Sequence, residues 1–361
     1  MRRPGHRQPK ERRAAMRTRR RIWLSLVLPI LFLAGCGGSG GSGVVRVYCS
    51  QDQQYATKIL KLFQEETGIR VEPLFDTELT KTVGLVHQIV EEAGRPRCDV
   101  FWNNEVVNTI KLQKKGLLLP FRAANAEGIP AEWKDPEGYW VGFAARARVI
   151  IVNTRLLPDP ATWPRSVLEL AAPKWKGRCC MARPRTGTTL THFAALYQVM
   201  GKEKAEAFFR KILANQVGLT QGNAHVRRQV SEGKFAWGLT DTDDFNVARL
   251  EGAPVARVFP DQEGMGTMVI PNTVCKIKGC PHPAQADRLI EFLLSPKVET
   301  LLAEGPSAQI PLHPGVPHPS FVKQPDPEGR PGTFKSMKWD PVKLGAELDH
   351  LAGRLAEIFS E

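Results

Sequence analysis

Several features are scarce or missing in this 361-residue chain, and each omission closes a class of function. There is no CxxC pair and no HExxH, so the common zinc-ligand spacings are not available. Past the N-terminus no basic stripe interleaves with aromatics, which argues against a nucleic-acid partner. No nucleophile elbow or His–carboxylate signature is present, so nothing supports an enzyme, and His87, His192 and His225 read as surface or structural histidines. No repeat at a solenoid period appears. The longest apolar stretch, residues 22–34, has 13 residues, too few to span a bilayer as a helix. Tyrosine is rare, with four in the chain and no two adjacent.

What is present begins with charge. The net charge is +13, but residues 1–35 hold nine Arg and one Lys against one Glu, which leaves +4 for the rest. Arg17, Arg19, Arg20 and Arg21 precede the 22–34 apolar segment, the order of a signal peptide. Leu33-Ala34-Gly35-Cys36 resembles the bacterial lipobox, which implies cleavage after residue 35, lipidation of Cys36 and residence on the periplasmic side of the cell envelope. Residues 37–43 (GGSGGSG) then read as a flexible tether of about 15 Å. The six remaining cysteines read as mostly buried free thiols, with Cys275 and Cys280 the best-placed pair for a bridge.

The body opens as β-α-β-α-β-α: strands at 44–49, 69–75 and 98–102 alternate with helices, which argues for a parallel sheet. Each strand ends in polar residues, Ser50, then Thr77 and Glu78, then Asn104, so three strand ends point to one rim. Residues 149–153, preceded by Arg146 and Arg148, read as an extended crossing to a second α/β unit. There, Thr188 and Thr189 open a helix whose unpaired amides suit an anion, with Arg146 as counter-charge. Asn223 opens another helix. The run KFAWGLTDTDDFN follows, an apolar strand ending in Asp241, Asp243 and Asp244 with a helix expected from about Phe245. Ligands of open α/β sheets collect at such strand ends.

FQEETGIRVE, CDVFWNNE, GLLLPF, RARVIIVNT, PKWKGRCCMARPRTGTT, GTMVIPNTV and HPAQADRLIEFLLS, in this order, resemble bacterial ABC-transporter solute-binding lipoproteins, in particular the ferric-iron-binding branch. The resemblance implies an α/β, two-lobed type II periplasmic-binding-protein fold, with mostly parallel sheets flanked by helices and two hinge crossings. On that reading residues 44–144 with 260–310 form lobe 1 and 145–259 lobe 2, while 311–361 hold a Pro-rich segment and a helix packing on the body. It also implies capture of a solute between the lobes by a monomer that delivers to an ABC permease and ATPase. No covalent cofactor is implied. A bound Fe3+ with a synergistic anion is the implied cargo.

The chain departs from that branch where the branch carries an adjacent Tyr pair as iron ligands, since Asp243 and Asp244 stand there. Carboxylates are also hard oxygen ligands, so Asp243, Asp244 and Glu78, or Glu105 opposite, are the candidate metal ligands. The wider ligand-binding set is Ser50, Thr77, Glu78, Asn104, Arg146, Thr188, Thr189, Asn223, Asp241, Asp243 and Asp244. The same groups suit a phosphorylated or hydroxylated small organic anion, such as a sugar phosphate or phosphonate. They also suit an amine boxed by Asp243, Asp244 and Trp102. A membrane-tethered hydrolase or sensor is the remote alternative.

Overall fold

The computed structural model describes residues 43–76, 83–323 and 334–360. The expected signal segment, Cys36, most of the tether, Thr77 and Glu78 lie outside the described residues. Among the described residues no helix is long and apolar enough to cross a membrane. In chain order the first elements are β1 (Val44–Cys49), α1 (Gln53–Thr67), β2 (Arg70–Phe75), α2 (Val83–Glu91), β3 (Val100–Asn103), α3 (Val107–Lys114) and β4 (Leu118–Leu119). The long β5 (Trp140–Asn153) leads to β6 (Cys179–Ala182), α4 (Gly187–Met200), α5 (Lys202–Ala214), β7 (Gly218–Thr220), α6 (Asn223–Ser231), β8 (Trp237–Asp241), α7 (Thr242–Leu250) and β9 (Val255–Val258). The chain returns through β10 (Val269–Ile277) to α8 (Pro283–Leu293), α9 (Pro296–Glu304), α10 (Ser320–Lys323) and α11 (Pro341–Ile358).

The strands follow one path, β2-β1-β3-β10-β5-β8-β6-β7, with β4 beside β10 and β9 beside β5. Two halves meet at β5. The first, around β1 and β3, and the second, around β6 and β8, are parallel in their outer strands. The crossing strands are not: β10 runs antiparallel to β3 and β5, and β5 antiparallel to β8 and β9. The fold class therefore holds, with an antiparallel seam down its middle. All fourteen residues of β5 are buried, which explains why it reads as one apolar run rather than an alternating one. Its register against β10 breaks between Ile270 and Asn272, and nearby Ala144 takes a φ of 45°, so the seam bends there.

Local chemistry sets the flanking helices. α1 buries Ala56, Ile59, Leu60 and Phe63 on one face and stops at Gly68, whose φ of 70° lets its N–H reach the Gln64 carbonyl. Gly238 in β8 has a similar necessity, because a Cβ there would lie 2.5 Å from Val226 on α6. α11 packs on both halves. Its Gly345 sits against Ile110 of α3, while Arg354 donates to both carboxylate oxygens of Glu206 on α5 at 2.9 Å. All six described cysteines are buried, and Cys275 and Cys280 form no bridge with each other.

Candidate functional site

The parallel strands of both halves end at one cleft, lined by Asp52 and Asn104 from the first half and Arg146 from the crossing. Around Thr188, Asn223 and Asp243 the second half supplies the rest of the wall. Eight of the expected residues are there: Asn104, Arg146, Thr188, Thr189, Asn223, Asp241, Asp243 and Asp244. Ser50 is buried behind it, its N–H donating to the Trp102 carbonyl. Trp102 cannot form one wall of an amine box. It is fully buried and packs on Phe143 at 5.5 Å, because strand alternation turns it into the core. His192 is likewise a core residue beside Phe193, and burial followed by the nearby Arg148 charge holds its imidazole well below the usual histidine range.

The acidic run differs from expectation in its placement. β8 continues through Asp241 and α7 begins at Thr242, three residues earlier than Phe245 suggested, so Asp243 and Asp244 occupy the helix's first turn. Negative side chains are stabilised there by the helix dipole, and both line the cleft. Carboxylate oxygens of Asp241, Asp243 and Asp244 lie within 4.8 Å of one another. Thr240 Oγ1 donates to Asp244 at 2.9 Å.

Arg146 does not serve the Thr pair. That role falls to Arg148, two residues on and on the same strand face, because β5 pairs Arg148 directly with Asp241 of β8. Arg148 is fully buried and donates through Nη1 to Asp241 (2.5 Å), Thr188 (3.1 Å) and Asn223 (3.2 Å), and through Nη2 to Thr189 (3.2 Å). Asp241 completes its shell by accepting from Thr188 Oγ1 at 2.6 Å and Asn223 Nδ2 at 2.9 Å. Arg146 instead donates to Gln51 (2.6 Å) and Asn272 (3.2 Å), with its Nε 3.7 Å from Asp243. Burial works to lower its guanidinium, but the carboxylates of Asp243, Asp241, Asp52 and Asp244 outweigh that and leave it raised.

Three helices, α4, α6 and α7, start at this cleft, and none has a side-chain cap bond at its N-cap residue, Thr186, Gly222 or Asp241. The N-termini of α4 and α6 leave amides aimed at a shared space, where they favour an anion, whereas in the first turn of α7 the Asp244 N–H donates to Asp243 Oδ1 at 3.1 Å. The enclosed room is about 40 Å³. At about 10–15 Å³ per water-sized sphere, it holds an ion with a few small donor groups. Glu105, expected as a candidate ligand, is fully buried and takes no part in the wall. Its oxygens accept from Val107 N–H, Asn108 N–H, Asn103 Nδ2 and Thr191 Oγ1.

Asp52 and Arg148 were absent from the expected set, although each carried a signal. Asp52 closes the polar run after β1, and Arg148 shares the strand face of Arg146. Arg183 also lines the cleft, where it donates to the Phe359 carbonyl at 3.0 Å.

A family model described as bacterial extracellular solute-binding protein matches residues 105–343. Iron uptake protein A1 of Synechocystis sp. is 28% identical over 91% of this chain and 95% of its own. The ferric binding protein from Campylobacter jejuni superposes with a TM-score of 0.77 at 22% identity, covering 87% of this chain and 99% of that one. The periplasmic binding protein AfuA from Actinobacillus pleuropneumoniae, solved with fructose-6-phosphate bound, gives 0.75 at 21% identity over 88% and 99%.

Proposed function

The chain belongs to the bacterial extracellular solute-binding proteins, which serve ABC importers, and from that premise we propose that its cargo is a ferric ion held with a small anion in the cleft. The observation that carries this reading is the carboxylate cluster at the start of α7. Hard carboxylate oxygens suit a trivalent cation. Asp243 and Asp244, on the first turn of α7 in the cleft wall, are the direct ligands, with Asp52 on the wall of the first half. A bare cation would sit beside the buried Arg146 guanidinium. An anion at the N-termini of α4 and α6 would balance the charge of a cation held at the start of α7, so binding should require bicarbonate, phosphate or a small carboxylate. The small enclosed volume supports the same conclusion. Iron uptake in the Synechocystis relative is consistent with it.

A second reading has its own support. The two uncapped N-termini of α4 and α6 beside a carboxylate pair also suit one solute carrying a phosphate or phosphonate group and an ammonium group, bound in a wider cleft. Mass spectrometry under native conditions separates the two. Protein equilibrated with ferric ion plus bicarbonate should retain one iron, and protein offered aminoalkylphosphonates or fructose-6-phosphate should retain none. Retention of an organic solute with no iron replaces the first reading with the second.

Capture itself needs no chemistry on the solute. Contacts from both halves favour the closed arrangement, and solute shifts a pre-existing equilibrium toward it for reading by a permease and its ATPase. We further propose that the signal segment is removed and that Cys36 carries lipid, holding a monomer at the envelope by the Gly37–Gly43 tether. The support is the order of arginines, short apolar segment, small residues and cysteine. The intact mass of Cys36→Ala, purified from membranes, should lack the acyl increment of the wild type.

A further inference from the structure

We infer that Glu105 and Thr191 form a latch between the two halves and set how fast captured solute is released. The inference rests on the solute-capture reading above. Glu105 follows β3 in the first half, and three of its donors are fixed there: Val107 N–H at 2.6 Å, Asn108 N–H at 2.9 Å and Asn103 Nδ2 at 3.0 Å. These bonds hold the carboxylate rigidly over the start of α3. The fourth donor, Thr191 Oγ1 at 3.2 Å, comes from α4 in the second half. It is the donor in this set that parting of the halves removes.

A fully buried carboxylate is costly unless its acceptor sites are filled, so the bond to Thr191 favours the closed arrangement. Burial raises the Glu105 carboxyl above its usual range, and the bonds from Asn108, Asn103 and Val107 oppose that rise. Thr191 has a single hydroxyl proton and a second acceptor within reach, the Gly187 carbonyl of its own helix at 3.3 Å. On opening, the hydroxyl turns back to Gly187 and water takes its place on Glu105. Exchanging one bond for another keeps the latch reversible.

The position of the latch matters as much as its strength. Gly187 and Thr188 line the cleft, and Thr191 lies one turn further along α4 on the same side. A solute that draws the start of α4 inward therefore also brings Thr191 to Glu105. Neither Glu105 nor Thr191 lines the cleft, so both are positioning residues.

The test compares wild type, Thr191→Val and Thr191→Ser. Small-angle X-ray scattering is recorded without added solute, and stopped flow follows release of ferric ion, loaded with bicarbonate, to an external chelator. Loss of one such bond with a fallback acceptor predicts release about five-fold faster in Thr191→Val. The same variant should show a larger radius of gyration, and Thr191→Ser should match wild type in both measurements. A Thr191→Val protein as compact as wild type overturns the latch, and so does a Thr191→Ser protein that behaves like Thr191→Val. If wild type takes up no ferric ion, the ferric cargo fails, and the solute-free scattering still decides the latch.

Discussion

Substituting Arg148 by Met would leave the Asp241 carboxylate buried with its main counter-charge gone. Arg148 is fully buried and makes four hydrogen bonds to four residues from three elements, so its loss is not local. Breaking a buried pair from one side costs about 3–5 kcal/mol. Chemical denaturation should show a loss of that size for Arg148→Met. Arg148→Lys should retain the charge but not the fork that reaches Thr188, Thr189, Asn223 and Asp241 together, and should lose most of the solute affinity in a titration. At this scale sequence reading recovered residue types better than pairings. It placed an arginine with the Thr pair but chose Arg146, because strand parity makes residues 146 and 148 equivalent and only the β5–β8 register distinguishes them. Trp102 failed for a related reason, since an aromatic at a strand end faces either core or cleft and the sequence carries no sign of which.

Elements position the site through close packing. α6 lies on β8 where Gly238 has no side chain, and a methyl group there would meet Val226 at 2.5 Å and Cys180 at 3.0 Å. Gly238→Ala should therefore push α6, and Asn223 at its start, away from Asp241. A stability loss of about 1–3 kcal/mol in denaturant melts, with weakened solute binding, is the expected outcome. The docking of α11 should depend on pH. Hydrogen bonds from Arg354 hold the Glu206 carboxyl down to about 2. A carboxyl lowered on folding stabilises the native state above the unfolded value of ~4.3, and that contribution is lost as pH falls toward 2. Hydrogen-exchange protection factors along α11, corrected for the intrinsic exchange rate at each pH, should fall across that window in wild type and change less in Glu206→Gln. Element boundaries were legible wherever a glycine or an apolar period marked them, as at Gly68. The start of α7 was not, because Thr-Asp-Thr-Asp-Asp offers several equivalent N-cap residues, and only the β8 pairing through Asp241 selects among them.

For the whole molecule, the strand-helix alternation and the polar strand ends together specified two parallel α/β units opening on one rim. Those signals are local and periodic. The antiparallel seam of β5 and β10, the register break at Ile270 and the seating of α11 across both halves depend on contacts far apart in sequence, which periodicity does not record. The same is true of Asp52, which meets the acidic run only once the halves are brought together. In the whole molecule, solute capture turns on Asp243 and Asp244 holding the positive centre of the cargo. Calorimetric titration of ferric ion with bicarbonate into wild type and into the Asp243→Asn, Asp244→Asn double variant tests it most directly. Saturable one-to-one binding in wild type, abolished in a double variant that still unfolds cooperatively, is the result predicted. Equal affinity in the two proteins would contradict it.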